Sequence, residues 1–214
     1  MNLRKLRDAE AMFLHRYPGG FEDEDLKPIL RRHNVGQLTG FAQTALAPER
    51  FARQGQVLDD IVKIVSRSSM VSMFEKPKFR DYVGGLSRPS REQLADAYRR
   101  LLHDDPAGGF EDLVAQLAEA GLAKWTLLTV CPFYYRPQQE VFVKPNTTKD
   151  VIRRFELEGL TYRPRPSWAF YAAYRSAIDA MKAAAHPSLS PSNAAFTGFL
   201  MMTAGDRGSE LAAR

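Results

Sequence analysis

Apolar residues recur at helical spacing along most of this 214-residue chain, and that periodicity restricts the fold more than any other feature. The clearest example is a set of five apolar residues spaced three and four apart, which places them on one side of a helix: Val57, Leu58, Ile61, Ile64 and Val65. Further helices are predicted over about 3–16, 26–34, 36–46, 56–67, 90–103, 110–120, 122–130, 147–157, 168–185 and 191–202. Over 122–130 a strand competes with the favoured buried helix, because this segment is rich in β-branched residues. The sequence therefore predicts a mainly α protein, a single-domain helical bundle over 1–204, followed by a frayed tail over 205–214.

Capping residues, proline and glycine set several of the predicted helix ends. Ser90, with Gln93 three residues later, resembles a capping box at the start of the helix over 90–103. Pro132 is expected to end the helix that precedes it, because proline cannot continue the hydrogen-bond ladder. Two glycine pairs, Gly84-Gly85 and Gly108-Gly109, are interpreted as helix terminators.

One short segment favours a β-strand instead. The run Glu140–Lys144 is rich in β-branched and aromatic residues and lies between Pro137 and Pro145. The segment Leu160–Arg163 is expected to pair with it after the helix over 147–157. The sequence thus predicts a minor two-stranded β element around 140–163.

The sequence indicates in which cellular compartment the protein is located. No run approaches the ~20 apolar residues that a membrane-spanning helix needs, so no membrane association is predicted. The N-terminal segment carries charges throughout, which favours a helix of the mature protein over a secretion signal. The single cysteine, Cys131, excludes an internal disulfide framework and fits a reducing compartment. We therefore expect a cytoplasmic protein in which Cys131 is a buried, unreactive side chain.

Metal and cofactor chemistry finds no support in the motifs. No histidine lies three or four residues from another histidine or from Cys131, whereas a zinc site needs clustered nitrogen or sulfur ligands. The four histidines are interpreted as surface or capping residues: His15, His33, His103 and His186. The sequence contains neither the G-x-x-x-x-G-K phosphate-binding loop nor the G-x-G-x-x-G fingerprint. No metal and no cofactor is predicted.

An enzymatic reading is the least favoured. Asp59-Asp60, or Glu75 with Lys76 and Lys78, contain the residue types of a metal-dependent nuclease, but at the wrong spacing. The best catalytic candidates would be Arg67, Ser68, Glu75 and Lys144. No reaction follows from these residue types, so the protein is expected not to be an enzyme.

Charge is distributed unevenly along the chain. Residues 63–100 carry nine basic and four acidic side chains, residues 101–123 carry five acidic and no basic ones, and residues 124–182 carry ten basic and five acidic ones. Two explanations remain open at this point. The basic and acidic stretches either dock on each other or form mixed solvated faces, or the basic ones form a binding surface for an anionic partner.

Aromatic residues accompany the cations in both basic stretches. In 66–81, four serines and Arg67 interrupt an apolar helix, and Phe74 and Phe79 alternate with basic residues. Hydroxyl and guanidinium groups can hold phosphate oxygens while a ring stacks on a base; alternatively, the hydroxyls bond to the backbone and the rings anchor the loop. In 140–175, Trp168 and Tyr171 are three residues apart and share a helix face, either as a stacking surface or as core under arginine stems.

The pattern in the second half resembles a recurring one in an uncharacterised bacterial protein family without an established activity. It comprises Phe142–Pro145 with Thr148-Lys149, then Leu160 and Tyr162, Pro166 with Trp168 and Tyr171, and finally Ser190–Asn193 with Phe199-Leu200. The resemblance covers about a third of the chain. It implies a family, some of whose members look associated with mobile elements or DNA-related systems, and it assigns no catalytic residue.

The leading hypothesis is a non-catalytic protein that binds DNA or RNA through its phosphate backbone. The candidate binding residues come from both basic stretches: Arg67, Lys76, Lys78, Arg80, Lys144, Lys149, Arg153, Arg163, Arg165, Trp168 and Tyr171. The alternative is a helical protein–protein interaction module, or a homo-oligomer that forms through the apolar C-terminal helix over 191–202.

Overall fold

The computed structural model describes residues 1–28, 33 and 35–204, and their regular structure is helical. The α-helices of this part are α1 (Leu3–Arg16), α2 (Val35–Ala45), α3 (Gln54–Arg67), α4 (Glu75–Gly85), α5 (Arg88–Arg99), α6 (Pro106–Glu119), α7 (Trp125–Tyr135), α8 (Pro145–Arg154), α9 (Trp168–Ala184) and α10 (Asn193–Ala204). The mainly α prediction is confirmed. The predicted helix over 26–34 lies partly, and the predicted tail over 205–214 entirely, outside the described residues. No helix in the described part is long and apolar enough to cross a membrane.

Contacts group the chain into two compact units. The terminal unit holds the described residues of Met1–Arg32, Pro137–Arg163 and Ala169–Arg214, and the central unit holds those of His33–Arg136 and Pro164–Trp168. Each unit has its own set of buried apolar side chains. A single domain over 1–204 stays a prediction.

The terminal unit is built around the apolar helix α10. Its residues Phe196, Phe199 and Leu200 are buried, and the Phe199 ring meets the edge of Phe13 from α1 at 5.4 Å between centroids. The Phe13 ring also stacks on Phe21 at 5.4 Å. The apolar side of α10 is therefore covered by the chain's own residues, which explains its composition without a partner. Homo-oligomerisation through this helix stays a prediction.

The predicted β element is wrong, because the described residues of 140–163 contain no strand. Residues Glu140 to Val143 are all buried, and side chains rather than a second strand meet their backbone polar groups. The Tyr171 hydroxyl lies 3.4 Å from the Val141 nitrogen and 3.3 Å from the Val141 oxygen, and Asn193 Nδ2 donates to the Glu140 oxygen at 3.1 Å. A β-rich composition marks a buried segment here, and its hydrogen bonds are satisfied without a ladder.

The central unit contains α2 to α7. All five residues that the periodicity assigned to one side of α3 are buried, as predicted: Val57, Leu58, Ile61, Ile64 and Val65. Helix α7 is buried along almost its whole length and contains Pro132, so the prediction that Pro132 ends the helix is wrong. Proline removes only its own N–H from the ladder, and Arg136 N still donates to the Pro132 oxygen at 2.8 Å.

Two further boundaries differ from the prediction. The N-cap of α5 is Ser87, which accepts a hydrogen bond from Ser90 N at 3.3 Å, so Ser90 is not the cap. The pair Gly108-Gly109 lies in the first turn of α6 and does not terminate a helix. A Cβ on Gly109 would overlap Leu101 N and lie 2.7 Å from Ala97 O, so the chain requires glycine for this close approach.

Candidate nucleic-acid interface

Ion pairing separates the basic side chains of residues 63–100 into two groups. Six of the nine have an acidic partner within 4 Å: Lys63, Arg80, Arg88, Arg91, Arg99 and Arg100. The partners of Arg99 and Arg100 include Asp104, Asp105 and Asp112 from the acidic stretch. Part of the charge pattern therefore reflects internal pairing. In the described part of the chain, the three cations of this stretch without an acidic partner are Arg67, Lys76 and Lys78.

These three cations belong to one connected piece of the central unit. Arg67 is the last residue of α3, Lys76 is the second residue of α4, and the two helices pack against each other. The Arg67 guanidinium carbon lies 5.5 Å from the centre of the Phe41 ring, which holds the stem of this exposed side chain. Lys78 is exposed and Lys76 is half-buried. The charge left unpaired thus lies at the α3–α4 connection.

Two large apolar side chains protrude beside these cations. Met73 and Phe74 are each 74% exposed, although most other large apolar residues of the described chain are buried or half-buried. Phe74 has helical backbone angles, φ −82° and ψ −23°, directly before α4. Residues four apart on a helix share a face, so Lys78 lies on the same side as Phe74. We name Arg67, Phe74, Lys76 and Lys78, which belong to the end of α3 and the start of α4, the Phe74 patch. Lys76 is two residues from Phe74 and does not share its face.

The second phenylalanine of this segment has a different role. Phe79 is fully buried and anchors α4 in the central unit together with Val83. Five residues separate Phe74 from Phe79, and a helix turns about 100° per residue, so the two rings point about 140° apart. Stacking and anchoring, which the sequence left open for both rings, are thus divided between them: Phe79 is the anchor, and only Phe74 presents a free face.

The serines before Phe74 are used within the protein. The Ser68 hydroxyl is buried, lies 3.1 Å from the Tyr134 hydroxyl, and accepts from Met70 N at 3.2 Å. Ser72 Oγ accepts from Phe74 N at 3.3 Å. Val71 is also buried beneath this loop. The alternative in which the hydroxyls bond to the protein holds for Ser68 and Ser72, and these bonds fix the backbone that leads into Phe74.

Cations of the terminal unit are arranged differently. Lys144, Lys149, Arg153 and Arg163 are exposed. The Lys149 amine lies 5.6 Å from the centre of the Tyr162 ring, and Arg153 Nη2 donates to Asp150 Oδ1 at 2.8 Å. The Tyr162 ring itself packs against Phe170 at 6.1 Å and is half-buried. The predicted residues of this unit therefore include cations, but their aromatic neighbours are engaged in packing.

Neither aromatic residue of the predicted pair is an open platform. Tyr171 is 1% exposed, and its hydroxyl donates to Glu140 Oε2 at 2.8 Å. Trp168 is half-buried, packs on Phe110 at 5.8 Å, and its backbone nitrogen donates to Glu111 Oε1 at 2.6 Å. Arg165, near Trp168 in the chain, is exposed. The alternative in which these rings are core holds fully for Tyr171.

Two of the catalytic candidates are engaged in contacts within the central unit. Arg67, Ser68 and Glu75 belong to this unit, and Lys144 belongs to the terminal unit. Ser68 is buried, and the Glu75 carboxylate accepts a hydrogen bond from Thr126 Oγ1 at 2.8 Å. Among the described residues, no group of three or more His, Cys, Asp or Glu side chains could hold a metal ion. Cys131 is fully buried, and burial raises the pKa of its thiol well above the ordinary range.

One polar cluster in the terminal unit was not predicted from the sequence. Tyr171 and Arg175, one turn apart on α9, both donate to the buried carboxylate of Glu140 at 2.8 Å. Asn193, the first residue of α10, is buried and bonds to the same segment. The only signal in the sequence was the four-residue spacing of Tyr171 and Arg175. This cluster is enclosed and positions the segment Glu140–Val143.

Comparisons of the chain with protein-family models, with curated proteins and with solved structures gave no match. The family resemblance of the second half thus stays an expectation.

Proposed function

We propose that this protein binds nucleic acid without catalysing a reaction, and that the Phe74 patch is the binding surface. One observation carries the proposal. Of the cations of residues 63–100 that lack an acidic partner, Lys78 shares a helix face with the most exposed aromatic ring of the described chain, and Arg67 and Lys76 belong to the same α3–α4 segment. Lysine and arginine at such a surface contact phosphate oxygens, and an exposed ring offers a face to a base.

The proposal assigns phosphate binding to fewer cations than the sequence indicated. Arg67, Lys76 and Lys78 supply the charge, and Arg80 adjoins them although it pairs with Asp81 at 2.9 Å. Surface ion pairs of this kind are weak, so a phosphate can compete for Arg80. Three or four phosphate contacts correspond to weak, strongly salt-dependent binding, with Kd values on the order of micromolar or above. The cations of the terminal unit are not needed for this surface.

The expected cytoplasmic location and the bacterial family resemblance belong to the same proposal. A fully buried Cys131 is compatible with a reducing compartment, where nucleic acids are also found. The association of some members of the resembled family with DNA-related systems points in the same direction. Neither consideration contributes to the binding chemistry, which depends on the Phe74 patch.

The test measures binding of a labelled oligonucleotide by fluorescence anisotropy, as a function of salt, for the full chain. In the double variant Lys76→Gln/Lys78→Gln, we expect affinity to fall about tenfold or more at low salt. The slope of log K against log salt should also shrink by about 1 per lysine.

The matched control is Arg53→Gln/Arg88→Gln, which also removes two positive charges. Arg53 directly precedes α3, whereas Arg67 ends it, and that helix is about 20 Å long. The Arg88 side chain is 91% exposed at the start of α5. Equal losses in the two double variants would show a general charge effect and overturn the assignment of the surface. No binding by the wild type at low salt would overturn the function.

A further inference from the structure

We infer that the partner of the Phe74 patch is a single-stranded polynucleotide, one unpaired base of which stacks on the Phe74 ring. The inference rests on the proposed function and adds the class of nucleic acid. Its basis is the combination of one free ring with very few unpaired cations.

The geometry of the ring is the first step. Phe74 follows a loop that is fixed from within by Ser68, Val71 and Ser72, and it precedes α4, which Phe79 anchors. The backbone at Phe74 is thus fixed from both sides, and the ring is 74% exposed. A fixed backbone lowers the entropy that is lost when a flat ligand covers the ring.

The second step concerns which bases can reach the ring. In a duplex both faces of each base are covered by neighbouring bases, so stacking on Phe74 would require the ring to be wedged into a base step. Proteins that wedge side chains into duplexes recover the cost of unstacking through an extended surface that the bent duplex wraps. The Phe74 patch offers three unpaired cations and one ring, which is too little surface for such recovery. In a single strand the base faces are free, and stacking contributes a factor of about 5 to 150 in affinity per base.

The third step concerns the lysines. Lys78 lies on the same helical face as Phe74, one turn along α4. A phosphate on the strand that carries the stacked base can therefore meet the Lys78 amine while the base covers the ring. Binding of this type tolerates any base, because every base has a π face.

An anionic membrane surface is the other partner that cations beside apolar side chains suggest. The affinity of such a surface grows with the apolar area that enters the interface. Met73 and Phe74 supply only two side chains, and α4 continues with Lys78, Arg80 and Asp81 on its exposed faces. One ring is enough for stacking, whereas two side chains make a poor membrane anchor. The structure therefore favours the polynucleotide.

The experiment compares oligonucleotides of about 20 nucleotides, as single-stranded DNA, single-stranded RNA and duplex DNA, together with vesicles of phosphatidylserine and phosphatidylcholine. We expect both single strands to bind at least fivefold more tightly than the duplex. Phe74→Leu keeps the side chain apolar but removes the π face, and should lower single-strand affinity fivefold or more while leaving duplex binding unchanged. Phe74→Trp should retain affinity, and its emission should be quenched by the single strand.

The matched control is Met73→Ala, at a neighbouring side chain with the same 74% exposure and no ring. It should change single-strand affinity less than twofold. Equal binding of duplex and single strand, or equal effects of Phe74→Leu and Met73→Ala, would overturn the stacking inference while leaving the proposed function in place. Vesicle binding without binding to any oligonucleotide would overturn both.

Discussion

The phenolic hydroxyl of Tyr171 donates a hydrogen bond of 2.8 Å to the buried carboxylate of Glu140. Burial, and secondarily the negative charge of Glu140, raises the pKa of Tyr171 well above its ordinary value, so the hydroxyl keeps its proton and acts as a donor. Arg175 donates to the same oxygen at 2.8 Å, and its guanidinium carbon lies 5.7 Å from the centre of the Tyr171 ring. Helix α9 thereby fixes the segment that begins at Glu140.

Removing one donor from this carboxylate should destabilise the protein measurably. Arg175→Met leaves Glu140 buried with its charge less compensated, so we expect the free energy of unfolding to fall by about 2 kcal/mol. That is less than for a fully buried pair, because 27% of the Arg175 side chain is exposed. Tyr171→Phe, which removes one hydrogen bond, should cost about 1–2 kcal/mol. Urea denaturation measures both.

The control for Arg175→Met is Arg153→Met. Arg153 also pairs with a carboxylate, Asp150, at 2.8 Å, but 75% of its side chain is exposed. Exposed pairs contribute about 0.5 kcal/mol or less, so this variant should stay close to the wild type. If both arginine variants lost the same stability, the compensation of a buried charge would not be the reason for the Arg175 effect.

Helices were predictable here because the buried residues recur with a 3.6-residue period, and a single exception does not remove that pattern. The five apolar residues of α3 were assigned to one side and are all buried. The β element was not predictable, since a strand-like composition also suits a segment enclosed on all sides. What decides between the two is the source of the hydrogen-bond partners for Val141 and its neighbours, and those are Tyr171 and Asn193, which are 30 and 53 residues away from Val141 and Glu140.

The candidate surface was predictable in part. The sequence indicated Arg67, Lys76 and Lys78. It gave equal weight to Arg80 and Arg153, which pair with acids in the structure, because charge along a chain does not reveal which cations meet acids. It also treated Phe74 and Phe79 alike. Only the packing of α4 shows which of the two rings faces the central unit.

Helix α6 packs closely against the preceding segment at Gly109, in its first turn. In Gly109→Ala the new Cβ would overlap Leu101 N and approach Ala97 O to 2.7 Å, and both are backbone atoms that cannot rotate away. We expect a loss of about 3 kcal/mol or more in the free energy of unfolding, as for other overpacked sites. The measurement is again urea denaturation.

Gly84 in α4 provides the comparison for Gly109. An added Cβ at Gly84 would meet nothing within 4 Å, and the residue has no positive φ. Gly84→Ala should therefore raise stability by up to about 1 kcal/mol, because alanine restricts the unfolded chain and favours the helix. Should Gly109→Ala behave like Gly84→Ala, the close packing between α6 and the turn at Leu101 would be disproved.

His103 lies in the π-helical turn Arg100–Asp104, between two aromatic rings of the central unit. Its Nε2 is 2.9 Å from the Leu46 oxygen, and since a carbonyl only accepts, Nε2 carries a proton and donates. The ring centroid is 5.4 Å from that of Phe51 and 5.3 Å from that of Tyr135. Burial lowers the pKa of His103 from its ordinary 6.5, although the Leu46 hydrogen bond acts in the opposite direction.

This lowered pKa has a definite consequence for stability. Of the charged neighbours, Arg136 and Arg99 also lower the pKa, and Asp104 raises it. In the unfolded chain His103 takes up a proton near pH 6.5, whereas the folded protein keeps it neutral to a lower pH. The unfolded state then binds more protons, so stability is fully present above about pH 7.5 and falls as the pH drops below about 6.5.

His103→Gln separates this contribution from that of other groups. Glutamine stays neutral, and its amide can still donate to Leu46 O. The wild type should lose more free energy of unfolding than the variant between about pH 7.5 and about pH 5.5, as measured by urea denaturation at each pH. The difference arises because only the wild type gains a proton on unfolding in that range. Parallel losses in the two proteins would mean that folding does not disfavour the charged imidazole of His103.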